Sequence, residues 1–503
     1  MGSIRVGRSC RNGGGWYRSV AATLVAALFG CGDGGGTQTR SDAPLGFEYA
    51  YDYDANLYVD EPGTPIGEDP GEPEPVGAWD EVPRAYSRTL HVRPPGATYG
   101  AGDGSTWADA LSGLPGTLER GTRYLLAAGD YYDGPWPDRF FQLEFETPED
   151  GDRFVGILKA TADDHGSEVG WEPAFGEGRA RLGPLAVVTG RLEVDGRAGL
   201  GGDDDAHGIQ IAARECDGEP PGMPITFPWN CEATDVAFRH VDVRGCGHRP
   251  DPTHSSEDAI YSYAAGVTRF ALRHAYVHDS FRGLLFLQNS RDVLVEATTF
   301  ARAGLHHEAF TIALREVRDV VVRRCVLIDS YGVFVGFQGV DNVRFYGNVL
   351  RRTRADWPIW AAIHLTEHGD GVLIANNTFY DLQGLNTGVR ESPEGLVDGL
   401  EVVNNLWAGT RAGQIMLHGD HAYNAFWSNY RDDGTTSLDD RIEEATKQVL
   451  PGDPFVGAAA GDLRLAGPTE SGRTLAPPAD WDLAGVRRGE DGVWDRGAYE
   501  HRE

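Results

Sequence analysis

Side chains able to carry acid–base chemistry recur in repeated segments between residues 283 and 391. His364 and Arg390 hold matching positions in two successive segments, AIHLT (362–366) and GVRE (388–391), while Glu308 and Glu367 lie near segment ends. An imidazole, a guanidinium or a carboxylate beside a substrate can take part in proton transfer. We therefore predict a catalytic set of His364, Arg390, Glu367 and Glu308. The alternative is scattered polarity on a solvated strand face.

Aromatic residues accompany this set. Side chains alternate along a strand, so taking Val333 and Val335 as inward places Phe334 outward with His364 and Arg390. The same outward column is expected to continue through Tyr261, Leu285 and Thr311. Aromatic faces can stack on sugar rings, so these residues are candidates for sugar stacking. The predicted substrate-binding residues are Tyr261, Tyr263, Phe334, Trp360 and His418.

One acidic turn is a candidate metal site. Gly201 and Gly202 precede Asp203, Asp204 and Asp205, which places three carboxylates beside flexible backbone. Calcium takes hard oxygen ligands of this type. The spacing is not that of an EF-hand loop, and an acidic surface turn is the competing interpretation.

The elements that carry these residues form a unit that recurs at intervals of ~23–29 residues, within the range of solenoid repeats. Each unit contains an alternating apolar strand, a polar turn and a second short strand, and no helix is predicted. The first strands reach a common column of small or polar residues. The units are VLVEATTF (293–300), VVVRRCVL (320–327), VRFYGNVL (343–350), VLIANNTF (372–379) and LEVVNNLW (400–407), with Thr298, Cys325, Asn348, Asn377 and Asn405 in the column.

This pattern predicts an all-β parallel β-helix whose coils stack on one another. Asparagine side chains in successive coils can hydrogen-bond along the axis, as in ladders of stacked strands. The chain resembles the right-handed parallel β-helix proteins, the superfamily of pectate lyases and polygalacturonases, from about residue 88 to 500. The segments at 453–455, 461–465 and 495–500 resemble the closing segment of these proteins.

The resemblance implies chemistry that individual residues can test. Clustered aspartates of the polygalacturonase kind are missing from the repeated coils. Uronate lyases use a base that is often Lys or Arg, and no lysine lies between Lys159 and Lys447. A lysine-based lyase is thereby excluded within the repeats. Arg390 remains, with His364 as the alternative base.

Length and charge set the domain organisation and the class of partner. The chain has 503 residues and a formal net charge of −31. Nucleic acid and anionic lipid surfaces require basic footprints, so both are excluded as partners.

We predict a signal peptide at 1–31, an acidic Gly/Pro-rich disordered tether at 32–87, a β-helix with an N-terminal cap at 88–428 and a C-terminal capping segment at 429–503. A monomer is expected.

The N-terminus predicts export. Basic residues precede the apolar run at 20–29, which is too short to span a bilayer. The run ends in Leu28-Phe29-Gly30-Cys31, which resembles the bacterial lipobox, so Cys31 is the predicted lipidation site. The alternative is an ordinary signal peptide with a chance cysteine. The prediction is a protein held at the bacterial outer membrane through its lipid only.

Cysteine usage agrees with an oxidising compartment. Cys216 and Cys231 flank a proline-rich loop, and disulfides persist in exported proteins. We predict that these two residues are bridged, with Cys246 as the rival partner. Cys325 is expected to be a small core residue in the asparagine column.

Two functional hypotheses remain from the sequence. The first is an enzyme acting on polysaccharide, as a lyase or a glycoside hydrolase. The second is a non-catalytic surface protein that binds glycans or mediates adhesion. The sequence does not name the sugar.

Overall fold

A computed structural model describes most of the chain from residue 84 onward. The described ranges are 84–131, 141–145 (backbone), 153–188, 190–196, 207–212, 223–227, 232–245, 247, 258–262, 265–304, 309–354, 356–392 and 397–502. Among them, no helix is long and apolar enough to cross a membrane.

Three long parallel sheets run the length of the described chain, and each coil contributes one strand to each sheet. The first sheet contains Leu111–Ser112, Arg88–Arg93, Thr122–Leu126, Val155–Lys159, Leu192–Asp195, Ala233–Arg239, Val267–Arg273, Arg291–Glu296, Arg318–Arg323, Asp341–Tyr346, Gly369–Ala375, Glu401–Val403 and Asp420–Ala422, with Val397–Asp398 beside Gly369–Ala375. The second sheet contains Gly129–Asp130, Ala180–Leu182, Ile209–Ala212, Val241–Arg244, Tyr276–Ser280, Thr299–Ala303, Val326–Ser330, Val349–Arg351, Thr378–Tyr380, Leu406–Ala408, Ala425–Trp427 and Gln448–Val449. The third sheet contains Thr117–Leu118, Phe141–Phe145, Leu185–Val187, Ile225–Phe227, Asp258–Ser262, Gly283–Gln288, Phe310–Arg315, Val333–Gln338, Ile359–Thr366, Gln383–Glu391 and Arg411–Gln414.

Regular structure outside these sheets is sparse in the described chain. It comprises the short helices Ala162–His165 and Pro173–Gly176, the 3₁₀ turns Asp439–Arg441 and Ala458–Ala460, and an antiparallel pair of Phe455–Gly457 with Asp462–Leu465. The prediction of an all-β, right-handed parallel β-helix is confirmed.

Each coil has three strands, whereas the sequence predicted two. The segment 372–379 that reads as one strand is split by a tight turn at Asn376 and Asn377 into strands of the first and second sheets. Asn376 and its equivalent Asn404 have φ values of 52° and 58°, in the left-handed region that asparagine tolerates. The turn residue before the predicted column therefore bends the chain and creates the extra sheet.

The predicted column forms a buried hydrogen-bond ladder. The backbone N–H of Asn348 donates to Oδ1 of Asn377 at 2.9 Å, and that of Asn377 donates to Oδ1 of Asn405 at 3.0 Å. The Nδ2 atom of each of these asparagines donates to the same oxygen in the next coil, at 3.0 Å in both cases. Cys325 joins the ladder through its backbone N–H, and its side chain is buried and free of any disulfide.

The ladder ends on a carboxylate. Asn424 is the last asparagine, and its N–H and Nδ2 groups donate to the two oxygens of Glu444 at 2.7 and 2.8 Å. A shorter ladder ends in the same way, because Asn429 donates to both oxygens of Asp439. A carboxylate only accepts hydrogen bonds, so it satisfies the last donors and needs no further coil.

The C-terminal segment divides into a cap and a flank. Leu438 and Ile442 join the interior apolar cluster at the end of the stack. Phe455, Leu463 and Tyr499 instead pack on the outer face of the second sheet and cover apolar residues of several coils, while Ala479 packs against Tyr346, Ala375 and Val403 of the first sheet. The closing segment that the sequence indicated at 453–500 therefore covers a side of the solenoid, and the preceding residues close its end.

Candidate functional site on the third sheet

Outward side chains of the third sheet form one column through successive coils. The strand register aligns Tyr261, Phe286, Ala313, Gly336, His364 and Arg390. A bridge between Val389 and Leu417 places His418 next to Arg390. The sequence placed Tyr261, His364 and Arg390 in this column, and the register confirms that placement.

Three other predicted members of the column are wrong. Leu285, Thr311 and Phe334 are each fully buried, and Phe334 and Val335 both belong to the interior cluster. A coil that closes on itself must bend, so two successive side chains face the interior and strict alternation fails. Phe334 is therefore a core residue and does not bind substrate from this surface.

His364, Trp360 and Arg390 form a compact group on this face. The His364 and Trp360 rings meet edge to face with centroids 4.5 Å apart, and the Arg390 guanidinium carbon lies 4.5 Å from the Trp360 centroid. His364 is only 5% exposed. Burial, together with the charge of Arg390, lowers the pKa of His364 from 6.5 to about 4. The ring is therefore neutral at neutral pH.

A β-bulge positions Arg390. The register between Ile359–Thr366 and Gln383–Glu391 shifts between Ala361 and Ile363. The Asn386 side chain stabilises the shifted backbone, because its Oδ1 accepts from the N–H groups of Gly388 and Met416. Bulges re-aim the side chains that follow them. Here the bulge brings Arg390 level with His364.

The upstream end of the column is aromatic. The Tyr261 and Phe286 rings stack with centroids 4.9 Å apart, and Arg282 lies within 5.8 Å of both ring centroids. Arg282 is held in turn by the buried carboxylate of Asp258. The sequence analysis missed Phe286, Arg282 and Asp258. Aligning the segments on the apolar pairs Leu285/Leu287 and Ile363/Leu365 would have found Phe286, because it then falls level with His364.

Two further predicted site residues, Glu367 and His418, form hydrogen bonds with residues outside the group of His364, Trp360 and Arg390. Glu367 is exposed, lies in a left-handed turn with φ of 65°, and accepts a hydrogen bond from Gln338 in the preceding coil. His418 accepts a hydrogen bond at Nδ1 from the N–H of Glu391 at 2.9 Å. Its neutral ring therefore carries the proton on Nε2.

Several predictions concern residues outside the described ranges. These are Glu308, Tyr263, the candidate calcium ligands Asp203, Asp204 and Asp205, the predicted disulfide of Cys216 and Cys231, and the lipidation site Cys31. Among the described residues, no group of three or more His, Cys, Asp or Glu side chains is placed to hold a metal ion.

A second polar cluster lies on the second sheet. His278 contacts Asp279 through Nδ1 at 2.6 Å and Asp242 through Nε2 at 2.8 Å, and Arg302 binds Asp279. Burial opposes protonation of His278, but the hydrogen bonds to Asp242 and Asp279 outweigh it and raise its pKa. Both ring nitrogens of His278 therefore contact carboxylates, and Arg302 Nη2 also lies 3.2 Å from Nδ1, so each nitrogen already has a partner within the cluster. This cluster is therefore suited to holding strands together.

Comparisons with known proteins find solved structures that are similar to this chain at low sequence identity. The chain is similar to the crystal structure of pectate lyase Pel9A, with 12% identity, coverage of 84% of this chain and 98% of that chain, and a TM-score of 0.44. It is also similar to PfbA, a surface protein and adhesin of Streptococcus pneumoniae, with 10% identity, coverage of 72% and 88%, and a TM-score of 0.29. A PL6 family alginate lyase, AlyGC, gives 12% identity, coverage of 71% and 53%, and a TM-score of 0.28.

No protein-family model matches the chain, and no curated protein does. The fold assignment rests on the three sheets and their register.

Proposed function

We propose that the outer face of the third sheet binds an acidic polysaccharide along the solenoid axis. The observation that carries the proposal is the column from Tyr261 to His418, with aromatic rings at one end, Ala313 and Gly336 in the middle and His364 with Arg390 near the other end. Aromatic rings offer apolar faces to sugars, and guanidinium groups pair with carboxylates. A uronate sugar has both an apolar ring face and a carboxylate.

The finer proposal is a lyase-type proton abstraction by His364. A base with a pKa of about 4 is weak at neutral pH. When a sugar carboxylate pairs with Arg390, the positive charge beside His364 is offset, and one of the two causes of its low pKa is removed. Binding of the correct anionic sugar thus makes His364 a stronger base.

A binding protein without catalysis is the second candidate. Its support is the 5% exposure of His364, which leaves little room for direct contact with a substrate proton. In that case Trp360 and Arg390 would supply affinity and His364 would only support the Trp360 ring.

We further propose that the protein is exported and anchored through Cys31. In that setting the third sheet would meet extracellular or envelope polysaccharide. Calcium at Asp203, Asp204 and Asp205 is part of the same proposal, as a charge that would help an acidic protein to hold an acidic polymer.

A panel of neutral and acidic polysaccharides tests the ligand class. We expect binding of an acidic polymer, and a loss of affinity of about tenfold in Arg390→Ala and in Trp360→Ala from the removed ion pair and ring contact. Arg344→Ala, an exposed arginine on the first sheet, is the matched control and should bind as the wild type does. Undiminished binding by both third-sheet variants would refute the proposed site.

The same panel separates lyase activity from simple binding. Absorbance of unsaturated uronate products reports elimination, and new reducing ends without that absorbance report hydrolysis. If elimination occurs, His364→Ala and Arg390→Ala should each lower turnover by about 10²-fold or more. Binding with neither product would support the non-catalytic candidate.

A further inference from the structure

An aromatic ring covers the middle of the third-sheet column. A Cβ atom on Gly336 would lie 2.9 Å from Cε1 and 3.0 Å from Cδ1 of Phe310, so the Phe310 ring lies directly over Gly336. Phe310 aligns with Val333, which belongs to the same strand as Gly336, one coil downstream. The ring therefore extends from its own coil onto the next one, where the aligned column residues Ala313 and Gly336 are small.

The fold keeps this ring out of the interior. Phe310 is half-buried, and it packs in none of the apolar clusters of the described residues. The φ angle of Gly336 is outside the left-handed region, so the backbone there does not require glycine. The missing side chain at position 336 instead provides the space that the Phe310 ring occupies.

With Phe310, half-buried rings follow the column along its length. Tyr261, Phe310 and Trp360 lie in every second strand of the sheet, and Arg390 is in the strand after that of Trp360. Phe286, which is 8% exposed, supports Tyr261 by stacking on it. Neighbouring strands are about 4.8 Å apart, so the distance from the Tyr261 strand to the Arg390 strand is about 24 Å. An extended pyranose chain advances by about one strand spacing per sugar, so about six sugars reach from Tyr261 to Arg390.

We propose that Phe310 is a sugar-stacking residue that joins the two ends of the column into one binding site for about six consecutive sugars of an acidic polysaccharide. This inference rests on the proposed function of the third sheet. The ring provides an apolar face where the column otherwise has only a methyl group and a glycine. A dimer held by Arg390 and Trp360 spans only their two strands, whereas a longer chain also reaches Phe310. The site therefore favours an internal stretch of a long polymer over its short fragments.

Calorimetric titration with oligomers of two to eight sugars tests this length dependence. The probes are the galacturonate and mannuronate series, together with size-fractionated oligomers of the acidic polysaccharide that binds in the panel. For the wild type, we expect Kd to fall at least tenfold from the dimer to the hexamer and to stay level beyond it. Phe310→Ala should raise the Kd of the hexamer about tenfold, because the ring contact is lost, and should leave the Kd of the dimer unchanged.

Two further variants and a control separate a sugar contact from a structural role. Gly336→Ala places a Cβ atom against the Phe310 ring and should weaken hexamer binding as Phe310→Ala does. Phe310→Tyr keeps the ring and should bind both oligomers as the wild type does. Tyr99→Ala removes a half-buried ring outside the three sheets and should leave hexamer binding intact. Because Gly336→Ala retains Phe310 and adds one methyl group, it tests the proposal even if Phe310→Ala fails to fold.

Three results would overturn the inference while the proposed function stands. The first is a dimer that binds as tightly as the hexamer. The second is hexamer binding that depends on Arg390 but survives both Phe310→Ala and Gly336→Ala. The third is equal weakening of dimer and hexamer by Phe310→Ala, because the ring would then act on the fold around Arg390. Absence of binding by every acidic polymer would instead refute the proposed function, and this inference with it.

Discussion

At the scale of single residues, His364 shows how one position on a solenoid face acquires a distinct pKa. Its strand places it outward, but Trp360 and Arg390 cover it, and burial with the Arg390 charge lowers its pKa to about 4. The unfolded chain has no such cover, so the same imidazole titrates there near 6.5. Folding therefore opposes protonation of this residue.

That difference predicts a pH dependence of stability. As pH falls from about 6.5 toward 4, the unfolded state binds a proton that the folded state does not, so the free energy of unfolding decreases over this window. The full difference is on the order of 3 kcal/mol. His364→Gln should lose less stability than the wild type between pH 7 and pH 5, measured by denaturant unfolding. His368→Gln, which changes an exposed histidine, should keep the wild-type dependence, and equal behaviour of the two variants would contradict the assignment.

Sequence reasoning at this scale identified the right face and half of the right column. His364 was found because apolar Ile363 and Leu365 flank it. Tyr261 and Arg390 were found because each follows an apolar residue at the matching position of its segment, Ile260 and Val389. Phe334 was misplaced because alternation cannot show where a coil bends. Arg282 and Asp258 were missed because their pairing depends on neighbouring coils, which a single segment does not reveal.

At the scale of elements, the asparagine ladder explains both the register of the coils and the end of the stack. Each asparagine donates hydrogen bonds to the side-chain oxygen of the asparagine in the next coil. The last asparagine therefore needs an acceptor that has no hydrogen-bond donors of its own to satisfy. Glu444 and Asp439 meet this requirement for the two ladders. The column of asparagines was visible in the sequence as a repeat. Its carboxylate ends were not, because they break the repeat.

The cap makes a sharp prediction with a matched control. Glu444→Gln replaces one accepting oxygen by an NH₂ group that faces the donors of Asn424, so a buried donor loses its partner. We expect a loss of about 1–3 kcal/mol in the free energy of unfolding. Glu443→Gln makes the same change at the exposed neighbouring residue and should be nearly neutral. Thermal unfolding of the two variants compares them directly, and equal losses would show that Glu444 does not cap the ladder.

At the scale of the whole molecule, the fold was predictable because every coil repeats the same interior pattern, and neighbouring coils stabilise one another. The number of sheets was not predictable, because the apolar pattern of the sequence continues unchanged across the extra turn at Asn376 and Asn404. The net charge of −31 contrasts with the positive charge that Arg390 places on the third sheet. A polyanion would be repelled at long range and held locally, so added salt should speed its association.

Membrane attachment of the whole molecule depends, in our proposal, on Cys31 alone. Acyl chains on this residue would supply the apolar area that anchors a lipoprotein, since one signal with several chains is sufficient for stable attachment. Cys31→Ser should move the protein from the membrane pellet to the soluble fraction, while its melting temperature stays unchanged because the substitution is not in any of the described strands. Cys325→Ser, at a buried core position, is the control and should remain in the pellet. Membrane partitioning that is the same in Cys31→Ser and in the wild type would exclude the lipid anchor.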